Sequence, residues 1–286
     1  MEALQEPEVE RFVDLHVHTS CSDGVFPPEE VVRMAVEAGL EVIAITDHDT
    51  VDGVKRALDE GNKVGIEVIP GVELSTRVGP SDIHILGYYV EVDAPPFKEL
   101  MEKLREERFK RAKKIVEKLN MLGVGLSFET VLEVAGEATI GRPHIADALV
   151  REAWVESYDE AFRKYIGYDG PAYLPKYEMS PEEGIKVIKQ AGGIPVFGHP
   201  GTARRDELIP GMVRAGLMGL EAFHPLHPPE ACRYYKDLAK KYGLIYTGGS
   251  DFHGSDRRMA PLGSQRVPYE IFLDLESTYR RTKKGG

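Results

Sequence analysis

Residues 11–24 read RFVDLHVHTSCSDG: an apolar, β-branched run ends in His16 and His18, and a turn then presents Asp23. In an extended strand side chains alternate between faces, so the two imidazoles share one face and stand side by side. A His-x-His pair is ordinary in itself, and its meaning comes from what recurs along the chain. Residues 42–46 (VIAIT) lead into Asp47, His48 and Asp49, residues 68–72 (VIPGV) lead into Glu73, and the apolar run 83–90 carries His84. Residues 194–198 (IPVFG) deliver His199, 219–223 (GLEAF) deliver His224, and 244–250 (LIYTGGS) deliver Asp251 and His253. The chain has nine histidines in 286 residues, and chance does not set most of them at the ends of separate apolar runs. The pattern predicts strand ends that converge on one metal site.

Helical segments separate these runs. PPEE at 27–30 opens a helix that Gly39 closes, and a second helix is expected over 51–61. After Gly192 strand and helix alternate again, with helices near 206–215 and 229–242 and a last one from about 268. Repeated βα units predict an α/β fold with a mainly parallel sheet or barrel whose function lies at the carboxyl ends of the strands. Residues 94–190 break this rhythm. Leu100, Leu104, Ile115, Leu119 and Leu122 recur at helical spacing in a long amphipathic helix over 97–122, and shorter helices are expected at 127–135, 143–153 and 157–166. SPEE at 180–183 has the form of a capping box. The expected organisation is a barrel built from 1–93 and 191–286, with a helical insertion at 94–190 that caps the active site. The basic residues of the long helix, Arg105, Arg108, Lys110, Arg111, Lys113 and Lys114, are interspersed with glutamates and read as a solvated, ion-paired face.

Hydrophobic residues make up 42% of the chain and charged residues 29%, a globular balance. A formal net charge of −11 excludes a protein that coats nucleic acid with a basic surface, but not one that binds a small anion locally. Cys21 and Cys232 are too few for a disulfide framework, and Cys21 reads as a small packing residue. No signal segment and no apolar run of membrane-spanning length is apparent, so the expectation is a cytoplasmic protein with neither a membrane nor an obligate protein partner. His227, in the proline-rich loop after His224, reads as an ordinary surface histidine.

Imidazoles mixed with carboxylates suit Zn, Mn or Fe, and the donors exceed what one tetrahedral ion can use. A polynuclear centre is the expectation. The motifs HVH (16–18), SDG (22–24), TDHD (46–49), GVE (71–73), HILGY (84–88), GHP (198–200) and GSDFHG (249–254), in this order, resemble the PHP family, the polymerase and histidinol phosphatase superfamily. That resemblance implies a distorted (β/α)7, TIM-like PHP barrel around three divalent ions, Mn in the first place and Zn or Fe as alternatives. It implies that His16, His18, Glu73 and Asp251 hold one ion, that Glu73, His84 and His199 hold a second with Glu73 bridging, and that Asp23, His48 and His253 hold the third.

Many histidinol phosphatases of the family place a histidine where this chain has Asp23. Asp23 therefore points to the branch that holds nucleoside 3',5'-bisphosphate phosphatases and related 5'-to-3' exoribonucleases. GRPHIA at 141–146 resembles the same branch. Arg142 is accordingly expected to fork onto a phosphate, Lys176 to add a second cation, and His224 to bind phosphate or to protonate the leaving oxygen. The implied reaction is hydrolysis of a small phosphorylated nucleotide or short oligonucleotide, by hydroxide bridging two of the ions, with Asp251, His224 and Arg142 as catalytic residues. A histidinol phosphatase and a non-catalytic, metal-binding regulatory module are the alternatives.

Overall fold

The computed structural model describes residues 10–254 and 260–284. Its apolar runs form strands β1 (Phe12–Val17), β2 (Leu40–Ile45), β3 (Glu67–Val78), β4 (Ser81–Tyr88), β5 (Ile194–Phe197), β6 (Gly219–Phe223), β7 (Ile245–Gly248) and the two-residue β8 (Val267–Pro268). They lie in one sheet in the order β7-β6-β5-β4-β3-β2-β1-β8. Strands β1, β2 and β3 pair in parallel, as do β5, β6 and β7. Their runs are mainly apolar because the strands are covered on both faces, with Asp14 in β1 and Glu221 in β6 as buried exceptions. Strand β4 is reversed, antiparallel to both β3 and β5. Strand β3 continues past Glu73 to Val78 and turns back at Gly79, whose positive φ of 60° suits glycine. The reversal distorts the barrel, and it brings His84 to the site from within a strand rather than from a strand end.

The sheet curls until β1 meets the segment after β7. A parallel bridge joins Val17 to Phe252, and the His18 N–H donates to the Phe252 carbonyl at 2.9 Å. The buried Asp14 carboxylate completes the closure, accepting from Ser250 N at 2.8 Å, Ser250 Oγ at 2.5 Å and Gly263 N at 2.8 Å. At Gly249 a Cβ would stand 2.4 Å from His16 N, so only glycine lets the chains approach this closely.

Helices α1 (Pro28–Glu37), α2 (Val54–Val64), α3 (Pro95–Met121), α4 (Phe128–Ala135), α5 (Arg142–Arg151), α6 (Tyr158–Ala161), α7 (Pro181–Gln190), α8 (Pro200–Ala203), α9 (Ile209–Ala215), α10 (Pro229–Tyr242) and α11 (Tyr269–Lys284) connect or flank the strands. The Ser180–Glu183 capping box opens α7, as its sequence predicts. Helix α7 gives Ile185 and Ile188 to a core shared with Val72, Leu74 and Phe197 of the barrel. Helix α3 spans two cores: Phe97, Met101 and Leu104 join the barrel, whereas Ile115 and Leu119 pack with Val131, Ile145, Leu149 and Ile166 in a separate cluster.

Two sequence readings are corrected here. Arg105 pairs with Asp52, and Lys110 with Glu106 and Glu107, as a solvated face would. Arg108 and Arg111, however, lie on the stripe of Leu104 and Ile115, which α3 turns inward, and both are largely withdrawn from solvent. His227 is buried rather than at the surface: its Nδ1 donates to the Ala222 carbonyl at 2.9 Å, and its Nε2 accepts from Gly201 N at 3.1 Å.

Candidate metal centre

The carboxyl ends of the parallel strands, with His84 of β4, bring all nine sequence-predicted ligands together. His16 Nε2, from β1, lies 3.3 Å from both Glu73 Oε2 and Asp251 Oδ1 and 3.1 Å from His18 Nε2. His18 Nε2 stands 3.2 Å from the same Glu73 oxygen and 3.1 Å from the same Asp251 oxygen. Glu73 faces histidines with both oxygens. Its Oε1 is 2.6 Å from His84 Nδ1 and 3.0 Å from His199 Nε2, and its Oε2 is 3.0 Å from His48 Nδ1. At the far side His253 Nε2 lies 3.2 Å from Asp23 Oδ1. Three sets of side chains could each hold an ion: His16, His18, Glu73 and Asp251; His48, Glu73 and His84; and His18, Asp23, His48 and His253. His48 stands between the last two, and His199 joins the second through Glu73 and through its 3.3 Å approach to His84.

The hydrogen bonds around these rings show that a cation fits between them. His16 Nδ1 lies 2.9 Å from the buried Glu221 carboxylate, so the neutral ring donates there and turns the lone pair of Nε2 toward Glu73 and Asp251. His253 Nδ1 faces the Asp251 carbonyl at 2.8 Å, which leaves the Nε2 lone pair toward Asp23. Thr202 Oγ donates to the His199 carbonyl and accepts from His199 Nδ1, which leaves the His199 Nε2 lone pair toward Glu73. Lone pair against carboxylate repels unless a cation lies between or the ring gains a proton. His18 Nδ1, Asp23 Oδ1 and His48 Nδ1 are moreover buried without hydrogen-bond partners, as metal donors would be. His84 differs. Its Nδ1 faces Glu73 Oε1 at 2.6 Å, and the Lys176 nitrogen lies 3.1 Å from its Nε2.

The electrostatics agree with the geometry. Burial presses the His18 imidazole down, but Asp251 and Glu73 outweigh it and raise the ring to about 10. His16 is held well above the usual histidine range by Glu221, Asp251 and Glu73 against the same burial. Burial works to raise Glu73, yet His48, His84 and His16 hold it well below the ordinary carboxylate range. Glu73 stays ionised and His16 and His18 attract positive charge, whereas burial holds His48 well below and His84 below the usual histidine range, so those two rings stay neutral donors.

The expected substrate residues are placed as follows. Lys176 is buried against His84 and Ser75, its Nζ 3.1 Å from Ser75 Oγ, and burial lowers its ammonium to about 8. Arg142, at the first turn of α5, donates to the Ile166 carbonyl at 3.3 Å, and its guanidinium lies 4.7 Å from the centre of the Tyr168 ring. His224 Nδ1 accepts from Leu226 N at 3.1 Å, so the neutral ring carries its proton on Nε2, 3.2 Å from Asp251 Oδ2.

Sequence reasoning missed several residues. Arg108 donates through Nε to Asp49 Oδ2 at 2.7 Å and through Nη2 to Ser75 Oγ at 3.2 Å. With Arg111 and Lys176 it lines a narrow basic recess between α3 and β3. Arg111 gives its Nε to the Leu174 carbonyl, while its Nη2 is buried without a partner. Asp47 accepts from Thr19 N, Thr19 Oγ and Ser22 Oγ and so shapes the turn that carries Asp23. Glu221 and Asp14 had a visible signal, a lone carboxylate inside an otherwise apolar strand run; Arg108 had none, because only the docking of α3 distinguishes it from its neighbours.

Comparison with known proteins gives one consistent picture. The family model for the PHP domain matches residues 14–170. The chain is 32% identical to a phosphoribosyl 1,2-cyclic phosphate 1,2-diphosphodiesterase of Eggerthella lenta, over 89% of this chain and 98% of that protein. It is 31% identical to the 5'-3' exoribonuclease Rnm of Salmonella typhimurium, over 88% of each chain. A 3',5'-nucleoside bisphosphate phosphatase of Chromobacterium violaceum is 30% identical over 84% of this chain and 87% of its own. Among solved structures, a protein of Bifidobacterium adolescentis assigned to the metal-dependent phosphoesterases superposes with a TM-score of 0.87 at 31% identity, covering 96% of this chain and 97% of its own.

Proposed function

The chain belongs to the PHP domain family of metal-dependent phosphoesterases, and from that premise we propose that it hydrolyses phosphate esters of nucleotides, as a phosphatase or a phosphodiesterase. The proposed substrates are nucleoside 3',5'-bisphosphates or the 5' ends of short RNA, and the proposed centre holds three divalent ions, Mn before Zn or Fe. His16, His18, Glu73 and Asp251 would hold one ion, Glu73, His84 and His199 a second, and Asp23, His48 and His253 the third. When bound, the ions supply Lewis acidity: they neutralise the phosphate dianion and make water a nucleophile at neutral pH.

The observation that carries the bisphosphate reading is the basic recess beside the ligands. Lys176 touches His84, and Arg108 reaches Ser75, two residues from Glu73. Arg111 completes the group, with a buried guanidinium nitrogen that has no partner. Arg108 is paired with Asp49 and Lys176 lies beside Asp82, so the positive charge left for a second phosphate is that of Arg111, joined by Arg142. Arg142 stands by it in the insertion as the fork for that phosphate. In this reading His224 holds Asp251 through Nε2–H and delivers the proton to the leaving oxygen. The insertion, residues 94–190 as the sequence divides the chain, closes over the recess through α3 and selects short substrates. No described helix is long and apolar enough to cross a membrane. The proposed compartment is the cytoplasm, where free thiols such as Cys21 and Cys232 persist.

The length match to the Eggerthella lenta relative favours a second reading, in which the centre opens a cyclic phosphodiester of a phosphoribosyl compound. The two readings separate in one assay. Phosphate release and product identity are measured for Mn-loaded protein with adenosine 3',5'-bisphosphate, AMP, a 5'-phosphorylated RNA trimer, phosphoribosyl 1,2-cyclic phosphate and histidinol phosphate, beside His16→Ala. Preference for the bisphosphate or trimer, lost in the variant, supports the proposal. Preference for the cyclic ester or histidinol phosphate overturns the substrate assignment, and no metal-dependent turnover of any of them favours the regulatory module.

A further inference from the structure

Next to the metal-ligand set lies an open cleft of about 420 Å³, lined by Asp82, His84, Tyr168, His199 and Thr202 among others. This volume falls within the roughly 300–1,000 Å³ typical of small-molecule sites. One wall is formed by two of the proposed ligands, His84 and His199. The other carries Tyr168, a large aromatic residue that is 54% exposed. Tyr168 is nevertheless fixed. Its hydroxyl donates to the buried Asp82 carboxylate at 2.7 Å, and the Arg142 guanidinium packs against its ring. Asp82 is itself held by Arg77 and Lys176. An exposed ring whose orientation is locked in advance loses little conformational freedom when a flat partner stacks on it.

We infer that this cleft is the nucleobase subsite and that Tyr168 is the platform on which the base stacks, a specificity determinant for nucleotides over other phosphoesters. The inference rests on the nucleotide reading above and deepens it. The cleft begins where the phosphate-handling residues end, so a ribose spans from His84 and His199 to the tyrosine ring. Stacking reads the π-face that every base presents, so the subsite tolerates all four bases. Arg142 then borders both regions, its guanidinium 4.7 Å from the centre of the Tyr168 ring.

The test compares Mn-loaded wild type, Tyr168→Ala and Tyr168→Phe on adenosine 3',5'-bisphosphate, on its abasic analogue 1-deoxyribose 3,5-bisphosphate, and on p-nitrophenyl phosphate. The expected result is a rise of about 5- to 100-fold in KM for the nucleotide in Tyr168→Ala, with kcat little changed. The abasic KM rises much less, and Tyr168→Phe, which keeps the stacking face but loses the hydroxyl anchor to Asp82, falls between wild type and Tyr168→Ala. Circular dichroism and metal content of the variants report that the fold and the centre survive. If wild type hydrolyses the nucleotide and the abasic compound with the same KM, or Tyr168→Ala weakens both alike, the base subsite is overturned while the nucleotide reading stands. If p-nitrophenyl phosphate is turned over and the nucleotide is not, the nucleotide reading fails and the subsite with it.

Discussion

Glu221 Oε1 lies 2.9 Å from His16 Nδ1, while its second oxygen accepts the backbone N–H of His199 at 2.6 Å. One fully buried carboxylate on β6 thus fixes the ring orientation of a donor on β1 and the backbone that carries a donor after β5. His199 needs such an anchor, because its backbone sits in the left-handed region at φ 30°. Glu221 is a positioning residue: it holds the His16 proton on Nδ1 and leaves Nε2 free to bind. Glu221→Ala is expected to weaken metal affinity by about 10- to 100-fold, read by titration of the metal-free protein with Mn. Glu221→Gln keeps an acceptor for His16 but turns an amide toward His199 N, and should fall between. Unchanged metal affinity in Glu221→Ala would remove this role.

Asp251 meets His16, His18 and His224 at once. Asp251→Asn is expected to lose most metal-dependent turnover and part of the bound metal while keeping its circular dichroism spectrum. The same variant tests whether the centre contributes to stability. At a free metal concentration of 100 times Kd, binding to the native state adds about 2.7 kcal/mol, a rise of roughly 4–5 °C in Tm for a chain of 286 residues. Mn should raise the Tm of wild type by that amount and shift Asp251→Asn far less. Equal shifts would place the bound metal elsewhere.

Much of this candidate site is legible in the sequence, and the reason is periodicity. Parallel strands covered on both faces leave long apolar runs, so a histidine or carboxylate at the end of each run stands out, as His199 after 194–198 and Glu73 after 68–72 do. What could not be read were relations set by packing between distant segments. The reversal of β4 leaves no trace in its own residues, since a buried strand is apolar whichever way it runs. Arg108 and Arg111 look like Lys110 and Lys113 in a helix rich in charge, and only the docking of α3 selects the inward pair. His227 follows two residues after a proline, as a surface residue would, yet α8 and α10 close over it.

The Asp14 carboxylate tests how the barrel closes. Between β7 and β1 the described residues form little regular ladder, and Asp14 substitutes for it by taking three donors from Ser250 and Gly263. Asp14→Ala leaves these buried donors unpaired and is expected to destabilise the fold by about 3 kcal/mol. Ser250→Ala removes one side-chain bond and should cost about 1 kcal/mol. Urea denaturation of the two variants measures both. A loss under about 1 kcal/mol in Asp14→Ala would mean that backbone contacts such as His18 N to Phe252 O close the barrel on their own.

Arg108 joins three parts of the molecule: it leaves α3, pairs with Asp49 after β2 and reaches Ser75 on β3. Asp49 is held for this contact, its backbone at φ 54° and its other oxygen accepting from Ser75 N at 2.7 Å. The planar guanidinium spans carboxylate and hydroxyl together, which an ammonium does not. Arg108→Lys is therefore expected to keep the charge of the recess but lose its shape. KM for a nucleoside 3',5'-bisphosphate should rise about tenfold, a loss of roughly 1.4 kcal/mol, with metal content unchanged. A substrate with one phosphate, bound at the ligand set alone, should be affected much less. Arg142→Ala, farther out in the insertion, should raise KM for the bisphosphate in the same selective way. If both variants instead lower kcat for every substrate and leave KM alone, the arginines act by seating α3 over the centre, and the second phosphate binds elsewhere.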